Sequence, residues 1–323
     1  MYRMKKFFLI NSLLISALFS GCGGGGGGSG SAAITPSNTP TPPFVVQTSV
    51  FSPVAGQAAM TQSSAAPLSN PRLMTFDGTY LYVATGVDNS VVRIDANGIQ
   101  TTMTGFNGSP VGIAIRNGVL YATQTGGLYQ LSIPPLTNGA SVAVAPSIVT
   151  NNTCGNCLGL LFNGNVAYIA DGSSTLKTFD TSNNGWQQIA LSNVAYGLAL
   201  NSGYLLATDY SQNVSSYNVS SITSTWSSVA QKTIPGLPYG VAIASNGDIY
   251  VSSYAANTVT RIHSGVVDST PYLDSTKVCH PLGLAINEST QSLYVASERS
   301  TAGCGLTGQS TGYILRASID LTP

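Results

Sequence analysis

Six times between Pro71 and Val295 the chain returns to one line of sequence: an apolar run, led by a glycine in five of the six copies, a tight turn, and a second apolar run. Pro110-Val111-Gly112-Ile113-Ala114-Ile115 leads through Asn117-Gly118 to Leu120-Tyr121-Ala122, and Pro238-Tyr239-Gly240-Val241-Ala242-Ile243 leads through Asn246-Gly247 to Ile249-Tyr250-Val251. Other copies begin at Cys157-Leu158-Gly159, Ala195-Tyr196-Gly197 and Pro281-Leu282-Gly283, with a degenerate one at Pro71-Arg72-Leu73. From Leu73 through the five glycines the starts lie 39, 47, 38, 43 and 43 residues apart. Self-similarity at a period of about 42 residues is the mark of a repeat architecture, in which each unit buries its apolar face only against its neighbours.

Within a copy the physics is that of short strands. Asn-Gly between two apolar runs is a hairpin signal. A third, alternating strand follows, as in Val91-Val92-Arg93-Ile94, Val259-Thr260-Arg261-Ile262 and Ile314-Leu315-Arg316, and a more polar fourth closes most copies, over 99–103, 186–191 and 229–234. Four antiparallel strands per unit read as a propeller blade, so the expected fold is all-β: a six-bladed β-propeller of four-stranded antiparallel blades. Composition agrees. Only 7% of residues are charged, against roughly 25% in an ordinary soluble domain. This excludes a charged disordered chain, a coiled coil and a basic nucleic-acid binder, and no nucleic-acid partner is expected.

The chain ends bear on how the ring closes. The last copy stops after its third strand, and a lone strand-like segment, 44–51, precedes the first. The expectation is that 44–51 supplies the missing outer strand, which makes 44–323 the propeller and leaves no unpaired gap.

Upstream, Arg3, Lys5 and Lys6 precede the apolar stretch Phe7 to Phe19, interrupted only by Asn11, Ser12 and Ser16. That is too short for a bilayer core and has the layout of a secretory leader. It ends in Leu18-Phe19-Ser20-Gly21-Cys22, which resembles the lipobox of bacterial lipoproteins, apart from the less usual Phe19. The resemblance implies a leader over 1–21, an acylated Cys22, and anchorage to the membrane through it. Gly23 rather than Asp follows, which implies the outer membrane in a Gram-negative host. Residues 22–43, Gly/Ser-rich and then Thr/Pro-rich, read as a tether that cannot bury apolar surface.

Over 71–323 the repeat resembles the NHL group of six-bladed propellers: Pro-x-Gly before Ile/Val/Leu-Ala, Asn-Gly, Leu-Tyr-Val-Ala, and then Asp-x-x-x-Asn. Asp209 with Asn213 keeps that last element, Asn89 and Asn257 keep its Asn alone, and the usual His is absent. On a propeller the loop entering the first strand and the loop joining the second and third open on one face. That geometry pairs Cys279 with Cys304, and Cys154 with Cys157 is paired beside it, in an exported compartment where disulfides persist. A redox-active Cys154-Gly155-Asn156-Cys157 has no helix start to stabilise a thiolate.

On the same map the propeller mouth displays Arg72, Asp171, Tyr196, Asp209, Tyr239, Tyr254, His280, Glu298 and Arg299. Two readings stand. One is an aromatic, mixed-charge pocket for a protein or a small polar, sugar-like ligand. In the other, Asp171 and Asp209 bond local loop amides, Tyr196 and Tyr239 plug the channel, and Glu298 pairs with Arg299 or solvent. His263 reads as a turn residue. The six-bladed SMP-30 and gluconolactonase group holds a divalent metal with a Glu, an Asn and an Asp; here Asn70 stands for that Glu, and Tyr196 or Tyr239 for that Asn. Propellers similar to streptogramin lyase use a His and Glu cluster, which two scattered histidines do not reproduce. No catalytic residue, metal or cofactor is therefore assigned. The expectation is a monomeric, lipid-anchored binding or assembly module of the cell envelope, with a metal-assisted lactonase or a lyase as the alternative.

Overall fold

The computed structural model describes residues 60–62, 68–151, 155–201, 203–219, 225–226, 228, 230–298, 304 and 312–321. They form the expected all-β propeller of six blades. Blade one is Pro71–Phe76, Leu81–Thr85, Ser90–Ile94 and Gln100–Thr104; blade two is Ile113–Arg116, Val119–Gln124, Gly127–Ser132 and Ser147–Asn151. Blade three is Leu160–Asn163, Val166–Ala170, Thr175–Asp180 and Gly185–Leu191; blade four is Leu198–Asn201, Tyr204–Thr208, Asn213–Asn218 and Ala230–Thr233. Blade five is Pro238–Ile243, Ile249–Ser253, Thr258–His263 and Val266–Val267. Blade six is Pro281–Asn287, Ser292–Ser297 and Tyr313–Ser318, completed by Met60–Gln62.

That last strand corrects one expectation. The ring does close by pairing the two ends of the chain, with Met60 opposite Ala317 and Gln62 opposite Leu315. The closing strand is 60–62, whereas 44–51 lies outside the described residues. The segment 44–51 reads as a strand, but a strand-like composition does not say which stretch ahead of Pro71 will pair with Tyr313–Ser318.

The glycine that leads each copy has a steric origin. A Cβ on Gly112, Gly159, Gly197 or Gly240 would lie 2.0–2.2 Å from the carbonyl oxygen of Leu158, Tyr196, Tyr239 or Leu282, each in the following blade. The innermost strands thus approach backbone to backbone, which only glycine permits. A buried hydroxyl spans three of these seams. Thr208 Oγ1 accepts from Gly197 N–H at 2.8 Å and donates to Tyr239 O at 2.6 Å. Thr123 joins Gly112 to Leu158, and Ser252 joins Gly240 to Leu282, in the same way. Around this ring the second strands are almost wholly buried, because blades cover them on both faces.

Two blades carry a strap that the repeat pattern did not reveal. The connection after the third strand of blade two reaches back, and Ser141–Ala143 pairs in parallel with the outer strand of blade one. Thr225–Trp226, from blade four, does the same to blade three. Each strap covers a sheet edge that would otherwise be open.

Candidate functional site

Five aromatic rings converge at the mouth. Tyr196 stacks on Tyr210 with ring centroids 4.8 Å apart, and Tyr239 meets both, at 5.9 Å and 5.8 Å. Tyr254 lies 6.5 Å from Tyr210 and 4.7 Å from the His280 ring. Glu298 caps this end, its Oε2 accepting from the Tyr254 hydroxyl at 2.7 Å. The opposite end is Arg72, whose guanidinium lies close enough to Tyr239 to oppose the effect of burial on its phenol. Its guanidinium lies over Gly86, where an added Cβ would sit 2.8 Å from Nε. Blades four, five, six and one thus supply one continuous polar-aromatic surface. Tyr239 is buried, while Tyr196, Tyr210, Tyr254, His280, Glu298 and Arg72 are partly exposed.

Tyr210 sits at the centre of this surface, and sequence reasoning passed over it in favour of its neighbour. The Asp209 carboxylate points into its own loop: Oδ1 accepts the N–H groups of Ser211, Gln212 and Asn213, and Oδ2 accepts Asn213 Nδ2. This net holds Tyr210 at φ 53°, a left-handed conformation that costs a bulky residue on the order of 1–2 kcal/mol. Asp209 is therefore the positioning group and Tyr210 the presented one. A signal existed, since Tyr254 and Glu298 each lie two residues beyond their blade's buried Ser252 or Ala296, as Tyr210 lies two beyond Thr208. His280 is held similarly at φ 46°, its N–H donating to Asn257 Oδ1 at 2.8 Å beside the Cys279–Cys304 disulfide.

Asp171 is not drawn into the cluster. Its carboxylate accepts from Ser173 N–H, Ser173 Oγ and Thr175 Oγ1 in its own blade-three loop. Arg299, Cys154 and Cys22 lie outside the described residues; Cys157 is buried and disulfide-bonded. His263 ends the third strand of blade five before a turn, and its Nδ1 lies 2.6 Å from the buried Asp248 Oδ1, far from the mouth. A cavity of about 260 Å³ opens between blades four and five at the other face, lined by Tyr204, Leu206, Val214, Lys232, Ile249 and Ile262.

The donor set does not suit a divalent cation of the SMP-30 type. Such an ion takes six to eight oxygen ligands, whereas Asp209 spends both oxygens on loop N–H groups and Glu298 holds Tyr254. Among the described residues no three His, Cys, Asp or Glu side chains gather closely enough to hold a metal.

Electrostatics at the mouth favour neutral phenols. Burial pushes Tyr239 up to about 12, partly offset by the nearby Arg72 guanidinium. Burial also raises Tyr210, assisted by Tyr196 and by the Glu298 charge and opposed by Arg72. At the blade five–six seam burial raises Tyr272 to about 12 and Tyr250 as well. An unfolded phenol ionises near 10, so below that pH both states hold their protons and nothing is lost. Above it the unfolded chain releases protons that the native one keeps, and stability falls as pH rises from 10 towards 12. Phenolate absorbance should therefore lag that of the urea-unfolded chain across this window, with melting temperature dropping in parallel; superimposable titrations would show these phenols to be solvated.

Comparison with solved structures places the chain among propellers of several activities. A gluconolactonase from Xanthomonas campestris aligns with a TM-score of 0.58 at 12% identity, over 83% of this chain and 94% of that one. A luciferin-regenerating enzyme aligns at 0.61 and 14%, over 82% and 94%, and a streptogramin B lyase at 0.56 and 12%, over 81% and 97%. At such identities the likeness shows the six-bladed fold and does not carry an activity. No family model and no curated protein matches the chain.

Proposed function

We propose that this chain is a lipid-anchored envelope propeller whose mouth binds a small polar ligand. The observation that carries the reading is the tyrosine surface running from Arg72 to Glu298, with Tyr210 held in a strained turn by Asp209. Backbone strain of this kind persists where the surrounding net over-determines it, and it clusters at ligand sites. Aromatic faces edged by a few charged groups are the usual lining of small-molecule sites. The anchor rests on the leader and on Cys22 in the sequence. Labelled palmitate should enter the wild-type chain and not Cys22→Ala. Full-length chain purified from its own envelope in detergent should release a small molecule on denaturation, detected by mass spectrometry and lost in Tyr210→Ala. Palmitate-free wild type removes the anchor, and identical spectra from both chains remove the ligand site.

A second reading, a lyase, is favoured by one contact set: His280 against Tyr254, and Tyr254 donating to Glu298. An imidazole and a phenol at a mouth can move a proton. Turnover of a natively copurified molecule, abolished by His280→Ala, would promote it over simple binding.

A further inference from the structure

The mouth carries two opposite charges that do not neutralise each other. Among the described residues the ion pairs are Arg261–Asp248, Arg261–Asp268 and His263–Asp248, all in blade five and away from the mouth. Arg72 and Glu298 form none, although both act on the same ring, Tyr210. Their order along the surface is Arg72, Tyr239, Tyr210, Tyr254, Glu298, with a cation at one end, a carboxylate at the other, and the buried Tyr239 and half-buried Tyr210 and Tyr254 between. Arg72 Nε is also buried without a hydrogen-bond partner.

Each candidate ligand class leaves a different residue of charge. A neutral sugar would cover the surface and leave both Arg72 and Glu298 partly desolvated and uncompensated, which is costly. A simple anion satisfies Arg72 alone, and a simple cation Glu298 alone. We propose that the mouth takes a zwitterion: an ammonium, best a methylated one, over the Tyr210 and Tyr254 faces beside Glu298, joined by a short spacer to a carboxylate that Arg72 receives. Tyrosine faces attract ammonium groups within about 6 Å of the ring centroid, which is how aromatic cages recognise quaternary nitrogen. The 6.5 Å separation of the tilted Tyr210 and Tyr254 rings lets one cation contact both. The arginine fork matches a carboxylate in a way that a point charge does not.

This inference rests on the small-ligand reading and deepens it. The test is calorimetry on the full-length chain in detergent with four probes: trimethylglycine; choline, which lacks the carboxylate; 3,3-dimethylbutanoate, in which carbon replaces the cationic nitrogen; and glucose. Trimethylglycine should bind one to one, with choline and 3,3-dimethylbutanoate each weaker by about tenfold or more, the size of one lost charged contact. Arg72→Gln should remove the preference over choline, and Glu298→Gln the preference over 3,3-dimethylbutanoate, with unchanged melting temperatures showing that both variants fold. No saturable heat from trimethylglycine, or equal affinity for 3,3-dimethylbutanoate, its isostere with carbon in place of the cationic nitrogen, overturns the zwitterion. Glucose binding in that case leaves the small-ligand reading standing, whereas silence from all probes together with empty mass spectra removes both.

Discussion

Replacing Gly197 by alanine is expected to destabilise the propeller by about 4 kcal/mol, near the top of what one substitution does. The added Cβ would lie 2.1 Å from Tyr239 O, 3.1 Å from Thr208 Oγ1 and 3.2 Å from Gly240 Cα. Two of those atoms are backbone of the next blade and cannot swing aside, so the seam between blades four and five must open. Opening it also breaks the hydroxyl bridge from Gly197 through Thr208 to Tyr239, leaving buried groups unpaired. The melting temperature should fall by roughly 10 °C. Gly155→Ala, at a position with nothing within 4 Å, should stay within about 0.5 kcal/mol of wild type. Urea unfolding of the two variants checks the pair, and equal midpoints would mean that the inner seams are looser than the carbonyl contacts imply.

Cutting the chain just after Gln62 should be the second large effect. It removes the strand that pairs with Tyr313–Ser318 and leaves an open edge on blade six. Losing three paired residues and the ring closure is expected to cost about 2–3 kcal/mol, or roughly 5–10 °C in melting temperature. Deletion of 23–43, whose Gly/Ser-rich and then Thr/Pro-rich sequence offers few apolar side chains to bury, should leave the melting temperature unchanged. Coincident melting curves for the two truncations would contradict closure by 60–62.

The repeat made most of the architecture legible because its glycines answer to a carbonyl of the next blade that leaves no room for a Cβ, in five of the six blades; blade one carries Leu73 there, whose N–H bonds Val111 O. Blade number, strand order and the Cys279–Cys304 pairing all follow from that register. Ser141–Ala143 and Thr225–Trp226 escaped because each pairs outside its own repeat, with the preceding blade, where periodicity is silent. At the mouth Tyr196, Tyr239, Tyr254, His280, Glu298 and Arg72 come together, and Asp171 and Asp209 turn into their loops. An aspartate just after a strand reads equally well as a ligand or as a turn former, because the same oxygens that could meet a ligand can net the next three N–H groups. Which use prevails for Asp209 depends on the backbone at Tyr210, and composition does not carry that.

The most direct test of a ligand-binding mouth is an electron-density map of the full-length chain purified from its native host. The account predicts non-protein density across the faces of Tyr210 and Tyr254, between Arg72 and Glu298, and its disappearance in Tyr210→Ala. Ordered water alone at that surface, with ligand density instead in the cavity between blades four and five lined by Tyr204 and Lys232, would contradict it.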